Sequence, residues 1–209
     1  MYIKPPVRPQ PIIEQLLNVL QPFATPINAV ARKRLSWDYK GKPQLYLFRE
    51  GELSIIRASD SLLMVTVYDP HLFGVAEMIQ PSRSHSLRAE VASDISRIDA
   101  DKAMAIFREQ QLWEEVTTLL AYHTSYLAYR DVLVLQQRTY SVIRNHLLEM
   151  IQLPEETRMR VSMLDYIQDR THLSRSSILN VLSALKKGKY ITFIRGGYLQ
   201  DVSSLPEKF

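Results

Sequence analysis

The sequence has no cysteine among its 209 residues. Disulfides, cysteine-ligated zinc and thiolate-held iron–sulfur clusters are therefore excluded. No apolar run approaches the ~20 residues of a membrane span. The opening "MYIKPPVRPQPIIEQLL" puts prolines where a signal peptide needs an unbroken apolar stretch. A cytoplasmic protein away from the membrane is expected. The text also lacks Gly-x-Ser-x-Gly, a Gly-Lys-Ser/Thr phosphate loop and Gly-x-Gly-x-x-Gly. The seryl stretches "SRS" at 82–84 and "SRSS" at 174–177 match none of these nucleophile motifs, although His85 and His172 stand close to them in sequence. No enzyme is expected.

What is present is enough apolar material, 46 % of residues, for a packed core of one large or two small domains. The formal charge of +4 is unevenly placed. Residues 137–209 hold 11 Lys+Arg against 7 Asp+Glu, while the first 136 hold 15 of each. The whole excess lies in the last third. That pattern suits nucleic acid or another polyanion, although four charges can also be scatter.

Apolar positions Ile12, Ile13, Leu16, Leu17 and Leu20 have helical spacing, with Pro11 at the start. A loop with Pro22 and Pro26 follows. From Leu45 to Ile98 the text is β-rich, with "LYLFREGELSII" reading as two strands around a Gly turn, and "SLLMVTVYDP" and "SLRAEVASDISRI" as further strands. Short strands at close spacing suggest a sandwich or barrel. Asp99 or Asp101 is expected to cap the helix "KAMAIFREQQ".

The longest helical stretch runs from Leu112 to Leu135. One seam is Leu112, Val116, Leu119, His123, Tyr126, Arg130 and Leu133, and a second is Trp113, Leu120, Leu127 and Val134. Two seams fit a helix that packs on its own domain with one and on a partner with the other, or a buried helix of a monomer. His123 and Arg130 would be costly in a dry core, which favours a wet dimer seam.

Helices are expected at 140–151, over "VSMLDYIQDRT" and over "SRSSILNVLSALKKG", with a break at "QLPEETRMR" and a hairpin around Gly196-Gly197. This is the layout of a winged helix-turn-helix. Ser162 and Ser174 are the expected caps. Ile178, Val181, Leu182 and Leu185 bury one face of the last helix. Arg175, Ser176, Ser177 and Asn180 lie at its start and on its outer face, where Arg suits guanine and Asn suits adenine in a major groove. Lys186, Lys187 and Lys189 follow for phosphate contacts, Gly188 ends the helix, and Arg195 sits at the wing tip. A helical hairpin with a solvated charge run has the same text.

The order β-roll, long helix, winged helix resembles the Crp/Fnr family of bacterial transcription regulators over about residues 40 to 200. "LYLFREGELSII" resembles the family's first strands, and "LFGVAEMIQPSRSHSLRAE" its phosphate-binding cassette. "ISRIDADKAMAIFREQQLWEEV" resembles the lead into the dimer helix. "SRSSILNVLSALKKGKYI" resembles the recognition helix, with Arg175 at the base-reading arginine. "QQLW", "YIQDRTHLSRS" and "ALKKGKYI" resemble an atypical branch of the family, which implies a link to oxidative-stress resistance.

The resemblance implies an α+β chain. A cyclic-nucleotide-binding-like β-roll, similar to a cupin jelly roll, would occupy 1–111, a dimerisation helix 112–136 and a winged helix-turn-helix 137–209. Double-stranded DNA and a second copy of the chain are the implied partners, and RNA polymerase is admitted as a further one. The ligand-binding positions map to Gly74, Arg83 and Ser84. Departures matter here. Val75 follows Gly74 where nucleotide-binding members have a glutamate for the ribose hydroxyl, and Arg83-Ser84 match the phosphate-holding pair only if the loop is shortened. A ribose without its carboxylate would be poorly held, so cyclic AMP is not the expected effector. At the recognition helix Ser176 and Asn180 replace the family's glutamate and second arginine, so a different target sequence is expected. His71, Glu77 and His85 lack the spacing of a metal site, and His123 as a lone haem ligand is less expected than a structural His. No cofactor and no metal are expected.

Overall fold

The computed structural model describes residues 4–80, 83–134 and 139–206. The chain divides into two compact units, Met1–Leu127 and Ala128–Phe209. The expected boundary at 136/137 lies outside the described residues.

The first unit opens with helix α1 (Gln10–Leu20), which carries Pro11 in its first turn. There the missing N–H has no helical acceptor to lose and the fixed φ suits the helix. A 3-10 turn, Gln21–Phe23, follows. The stretch expected to be loop is in fact strand β1 (Thr25–Ala29). It escaped recognition because it contains Pro26, which a strand tolerates only where it borders a single neighbour. β1 is such an edge.

Eight more strands follow: β2 (Arg34–Leu35), β3 (Asp38–Tyr39), β4 (Lys42–Glu50), β5 (Leu53–Arg57), β6 (Leu63–Val67), β7 (His71–Phe73), β8 (His85–Ala89) and β9 (Ser93–Asp99). One sheet has the order β1-β9-β4-β3, with β7 also paired to β4, and the other β2-β8-β5-β6. Every pairing is antiparallel. Successive side chains of β4 go to opposite faces. Tyr46 and Phe48 join Leu35, Trp37, Leu53, Leu87 and Ile95 in a core between the sheets. Leu45 and Leu47 join a second core with Ile13, Leu16, Leu17, Ile98 and Phe107. The roll is thus a two-sheet sandwich with helices on one outer face.

Helix α2 (Ala100–Glu109) corrects an expectation. Asp99 stands at its N-cap position but makes no side-chain capping bond. Its carboxylate instead accepts from Gln44 Nε2 at 2.9 Å and Lys42 Nζ at 3.1 Å. These contacts lower its pKa, the Gln44 bond foremost.

Helix α3 (Trp113–Val134) matches the expected long helix. The assignment of its faces needs correction. Leu112, Val116 and Leu119 are buried in the roll's outer core, and Trp113 and Leu120 of the second seam pack against that same core. His123 does not stand in a wet seam; its Nε2 lies 2.8 Å from Nε2 of His71 on β7. Both seams therefore face home in the first half of the helix. The side chains of Leu133 and Val134 lie outside the described residues.

The second unit contains α4 (Thr139–Ile151), α5 (Glu155–Arg158), α6 (Met163–Arg170), α7 (Arg175–Lys187) and the hairpin β10 (Ile191–Ile194) with β11 (Tyr198–Val202). The expected break at "QLPEETRMR" contains the one-turn helix α5. One core holds Ile143, Leu147, Met150, Met163, Ile167, Ile178, Leu182, Leu185, Ile191 and Leu199. Among the described residues no helix is long and apolar enough to cross a membrane.

Candidate nucleic-acid interface

Helix α7 is built from both ends. At its start Ser174 Oγ accepts from Ser177 N at 3.2 Å and lies 2.8 Å from Ser177 Oγ and 3.0 Å from Ser176 Oγ. The two hydroxyls of Ser174 and Ser177 thus hold the cap together. The turn before it is fixed by buried Thr171, whose Oγ1 donates to Ile167 O at 2.8 Å and accepts from Leu173 N at 3.3 Å. Helix α6 is capped in the same way, with Ser162 Oγ accepting from Asp165 N at 3.1 Å.

The far end differs from expectation. Gly188 has φ −77°, which any residue adopts, and the left-handed residue is Lys189 at φ 58°. Tyr190 N donates to Leu185 O at 2.9 Å and Lys189 N to Lys186 O at 2.9 Å. This is the paired bonding of a Schellman stop, with Lys189 where glycine is usual. Gly188 is needed for another reason. A Cβ there would stand 2.5 Å from the Tyr190 ring.

Between these ends Ile178, Leu182 and Leu185 are buried and Val181 is half-buried. Arg175, Ser176, Asn180, Lys186 and Lys187 are exposed, and Ser177 is half-buried. The structure therefore leaves the expected readers exposed, apart from half-buried Ser177. Among the described residues Arg175 and Asn180 have no side-chain hydrogen bond or ion pair. Lys186 sits 4.5 Å over the Phe193 ring, which ties the helix end to β10. Lys189 and Arg195 are exposed.

The wing is braced against the rest of its unit. Gly197 N donates to Ile194 O at 3.0 Å across the turn, and Met163 N donates to Gly197 O at 2.9 Å. Both glycines of the turn have positive φ, 95° and 82°. Arg158 Nη1 donates to Gln200 O at 2.9 Å and Leu199 O at 3.3 Å.

The candidate ligand residues of the roll have other duties. Gly74 has φ 92°, and a Cβ there would meet Gln44 O at 2.7 Å and the Trp37 ring at 3.4 Å. Val75 is 1 % exposed in the outer core. Arg83 forms a two-pronged ion pair with Asp38, at 3.0 and 3.2 Å. Ser84 Oγ lies 3.3 Å from His85 Nδ1. Buried Trp37 packs edge-on against His85 and donates from Nε1 to His85 O at 2.6 Å. His85 Nε2 is in turn 3.1 Å from Glu77 Oε1. His71 and His123 form their own pair, and among the described residues no group of three or more ligands could hold a metal ion.

The sequence reading missed the free face of α3. Thr117, Ala121, Thr124, Ser125 and Ala128 are exposed, with Leu127 51 % exposed beside them. Thr117 and Thr124 donate to Trp113 O at 2.7 Å and Leu120 O at 3.0 Å, so their hydroxyls are satisfied within the helix. The signal was small residues at steps of three and four, masked by the louder leucines.

Comparison with known proteins agrees with this geometry. Residues 139–207 match the family model described as winged helix-turn-helix DNA binding. The inhibitor of hydrogen peroxide resistance of Salmonella typhimurium is 32 % identical over 165 residues, 78 % of this chain and 79 % of that protein. Its namesake from Escherichia coli K12 is 31 % identical over the same shares. Among solved structures, the c-di-GMP responsive global regulator CLP of Xanthomonas campestris has a TM-score of 0.72 at 15 % identity, covering 91 % of this chain and 100 % of that one. A protein from Eubacterium rectale described as a Crp/Fnr-family transcriptional regulator has a TM-score of 0.63 at 14 % identity, with coverage of 89 % and 90 %. The fold is shared with these two proteins, and the matched module is a winged helix-turn-helix DNA-binding domain.

Proposed function

The chain belongs to the family of the inhibitor of hydrogen peroxide resistance, on the Crp/Fnr fold, and from that premise we propose that it is a homodimeric transcription regulator reading a near-palindromic DNA site. The observation that carries this reading is the start of α7. A double-serine cap leaves Arg175, Ser176 and Asn180 exposed together, while the opposite face is locked into the core. The helix N-terminus adds free N–H groups and positive dipole for a phosphate. Lys187, Lys189 and Arg195 extend the cationic surface for backbone contacts.

Two copies would join through α3. Its exposed small side chains let two helices approach closely, and Leu127 supplies apolar contact. The division of labour is then an effector-type roll over 1–111, a dimer helix over 112–136 and a DNA-binding module over 137–209. Action on DNA would put the protein in the cytoplasm.

Cyclic AMP is not the effector in this reading. Arg83 is neutralised by Asp38, Val75 replaces the ribose-binding carboxylate and is buried, and the Trp37 ring stands between Gly74 and His85. The relatives' name extends to this chain as an expected effect on hydrogen peroxide resistance.

The test is selection of bound sequences from random duplex DNA with the purified chain. A two-fold symmetric motif is expected, with half-sites about one helical turn apart. Weak binding that is sensitive to salt, with no enriched motif, would overturn the reading in favour of a winged helix that contacts another protein.

A further inference from the structure

Helix α7 carries one apolar side chain where the sequence reading saw only polar readers. Leu179 is 44 % exposed, although its neighbours Ile178 and Leu182 are buried. A lone exposed leucine elsewhere would mean nothing. Its place on the helix is what counts. Residues three, four and seven apart share a helical face. Arg175 and Ser176 therefore lie on the same face one turn before Leu179, Ser183 one turn after, and Lys186 two turns after. All four are exposed. Leu179 thus stands mid-stripe among groups suited to bases and phosphates.

Polar side chains on that stripe can accept or donate to base edges, but a leucine can do neither. In the major groove the one apolar group on a base edge is the C5-methyl of thymine. From this we infer that Leu179 is a specificity-determining residue that reads a thymine methyl in each half-site. The inference rests on the proposed DNA-reading function. Leu179 would discard water from one face of the methyl, while Arg175 and Asn180 supply directional bonds on either side. It also adds a preference that hydrogen-bonding residues cannot make. Thymine would be favoured over uracil, which differs only by that methyl, and 5-methylcytosine over cytosine in the same groove position.

The experiment uses the full chain and the duplex obtained by selection. Each thymine is replaced in turn by deoxyuridine, and affinity is measured for the natural chain, Leu179→Ala and Arg175→Ala. One symmetry-related thymine per half-site is expected to be sensitive. Losing its methyl should weaken the natural chain about 3- to 6-fold per half-site, the order given by burying one methyl. Leu179→Ala should bind both duplexes equally, and Arg175→Ala should keep the methyl preference. Because Leu179 lies outside the core, Leu179→Ala should unfold at the same temperature as the natural chain. Leu179→Met, which keeps an apolar tip, should keep the preference in part. Specific binding with no deoxyuridine-sensitive position, or with sensitivity unchanged in Leu179→Ala, would overturn this inference and leave the regulator reading intact. Failure to enrich any motif would overturn both.

Discussion

His71 and His123 face each other with their Nε2 atoms 2.8 Å apart, joining strand β7 to helix α3. His71 Nδ1 is buried without a hydrogen-bond partner among the described residues. An unmet lone pair costs less than an unmet N–H, so His71 carries its proton on Nε2 and donates to His123. A proton added to His123 Nε2 would remove the acceptor. Burial and the nearby Arg8 and His85 hold His123 down to about 4, and burial with His123 and Arg8 holds His71 well below its ordinary value.

The pH dependence follows from that pair. In the unfolded chain both imidazoles titrate near 6.5, so between that pH and about 4 the unfolded state binds more protons. The pair's stabilisation is fully present above 6.5 and falls as pH drops through that window. The loss through His123 is on the order of 3 kcal/mol. Thermal unfolding of the natural chain should weaken from pH 7.5 to 4.5. His123→Gln should start lower and lose less. An equal loss in both would refute the assignment.

Adjacent residues at the end of α7 should respond in opposite ways. Gly188→Ala forces the Tyr190 ring to move, because the new Cβ would stand 2.5 Å from it. A loss of about 1–3 kcal/mol is expected from denaturant titration. Lys189→Gly relieves a left-handed backbone at φ 58° and should stabilise by up to ~1 kcal/mol. The same change should weaken DNA binding by removing a cation.

Arg175→Ala and Lys187→Ala separate base reading from backbone attraction. The first should cost about 1–3 kcal/mol at one base position and relax preference there. The second should weaken binding to every sequence and reduce the salt slope by about one unit. Affinity measured across a salt series on matched and altered sites distinguishes them.

The exposed face of α3 should be the dimer seam. Ala121→Glu places like charges opposite each other in a pair of copies while leaving the home core untouched. Sedimentation should then report monomer, and affinity for the full site should fall toward that for a half-site. A dimer of unchanged affinity would move the seam elsewhere.

Cyclic AMP at millimolar concentration should leave the melting temperature unchanged, since a ligand that binds only the folded state must raise it. Restoring the family carboxylate by Val75→Glu should not create binding. It should instead destabilise the roll, because Val75 lies in the outer core and would carry an unpaired charge there.

Local text declared much of this molecule. The period of 3.6 along α1, α4 and α7 and the β-rich runs of β4 and β5 around their Gly turn were legible, as were the serine caps and the glycines of the wing turn, because each depends on neighbours in sequence. The short strands β1, β2 and β3 were not. Two of them span only two residues, and the third contains a proline tolerated because β1 lies at a sheet edge. Asp99 was misread for a related reason. A carboxylate at a helix start is a cap by local rule, but Gln44 and Lys42, far away in sequence, claim it.

The amino-acid order by itself determined which segments have an apolar side, where helices start, and that the last third carries the positive excess. It could not determine whether one apolar seam of α3 or both face home, because both seams satisfy the same periodicity. Only the packed roll decided that, by burying Leu112, Val116 and Leu119 and by setting His71 opposite His123. Arg83 illustrates the same limit: as text it matches a phosphate-holding arginine only with a shortened loop or is a polar surface residue, and only the approach of strand β3 gives it Asp38. Periodicity is a property of one segment, whereas pairing and burial are properties of two.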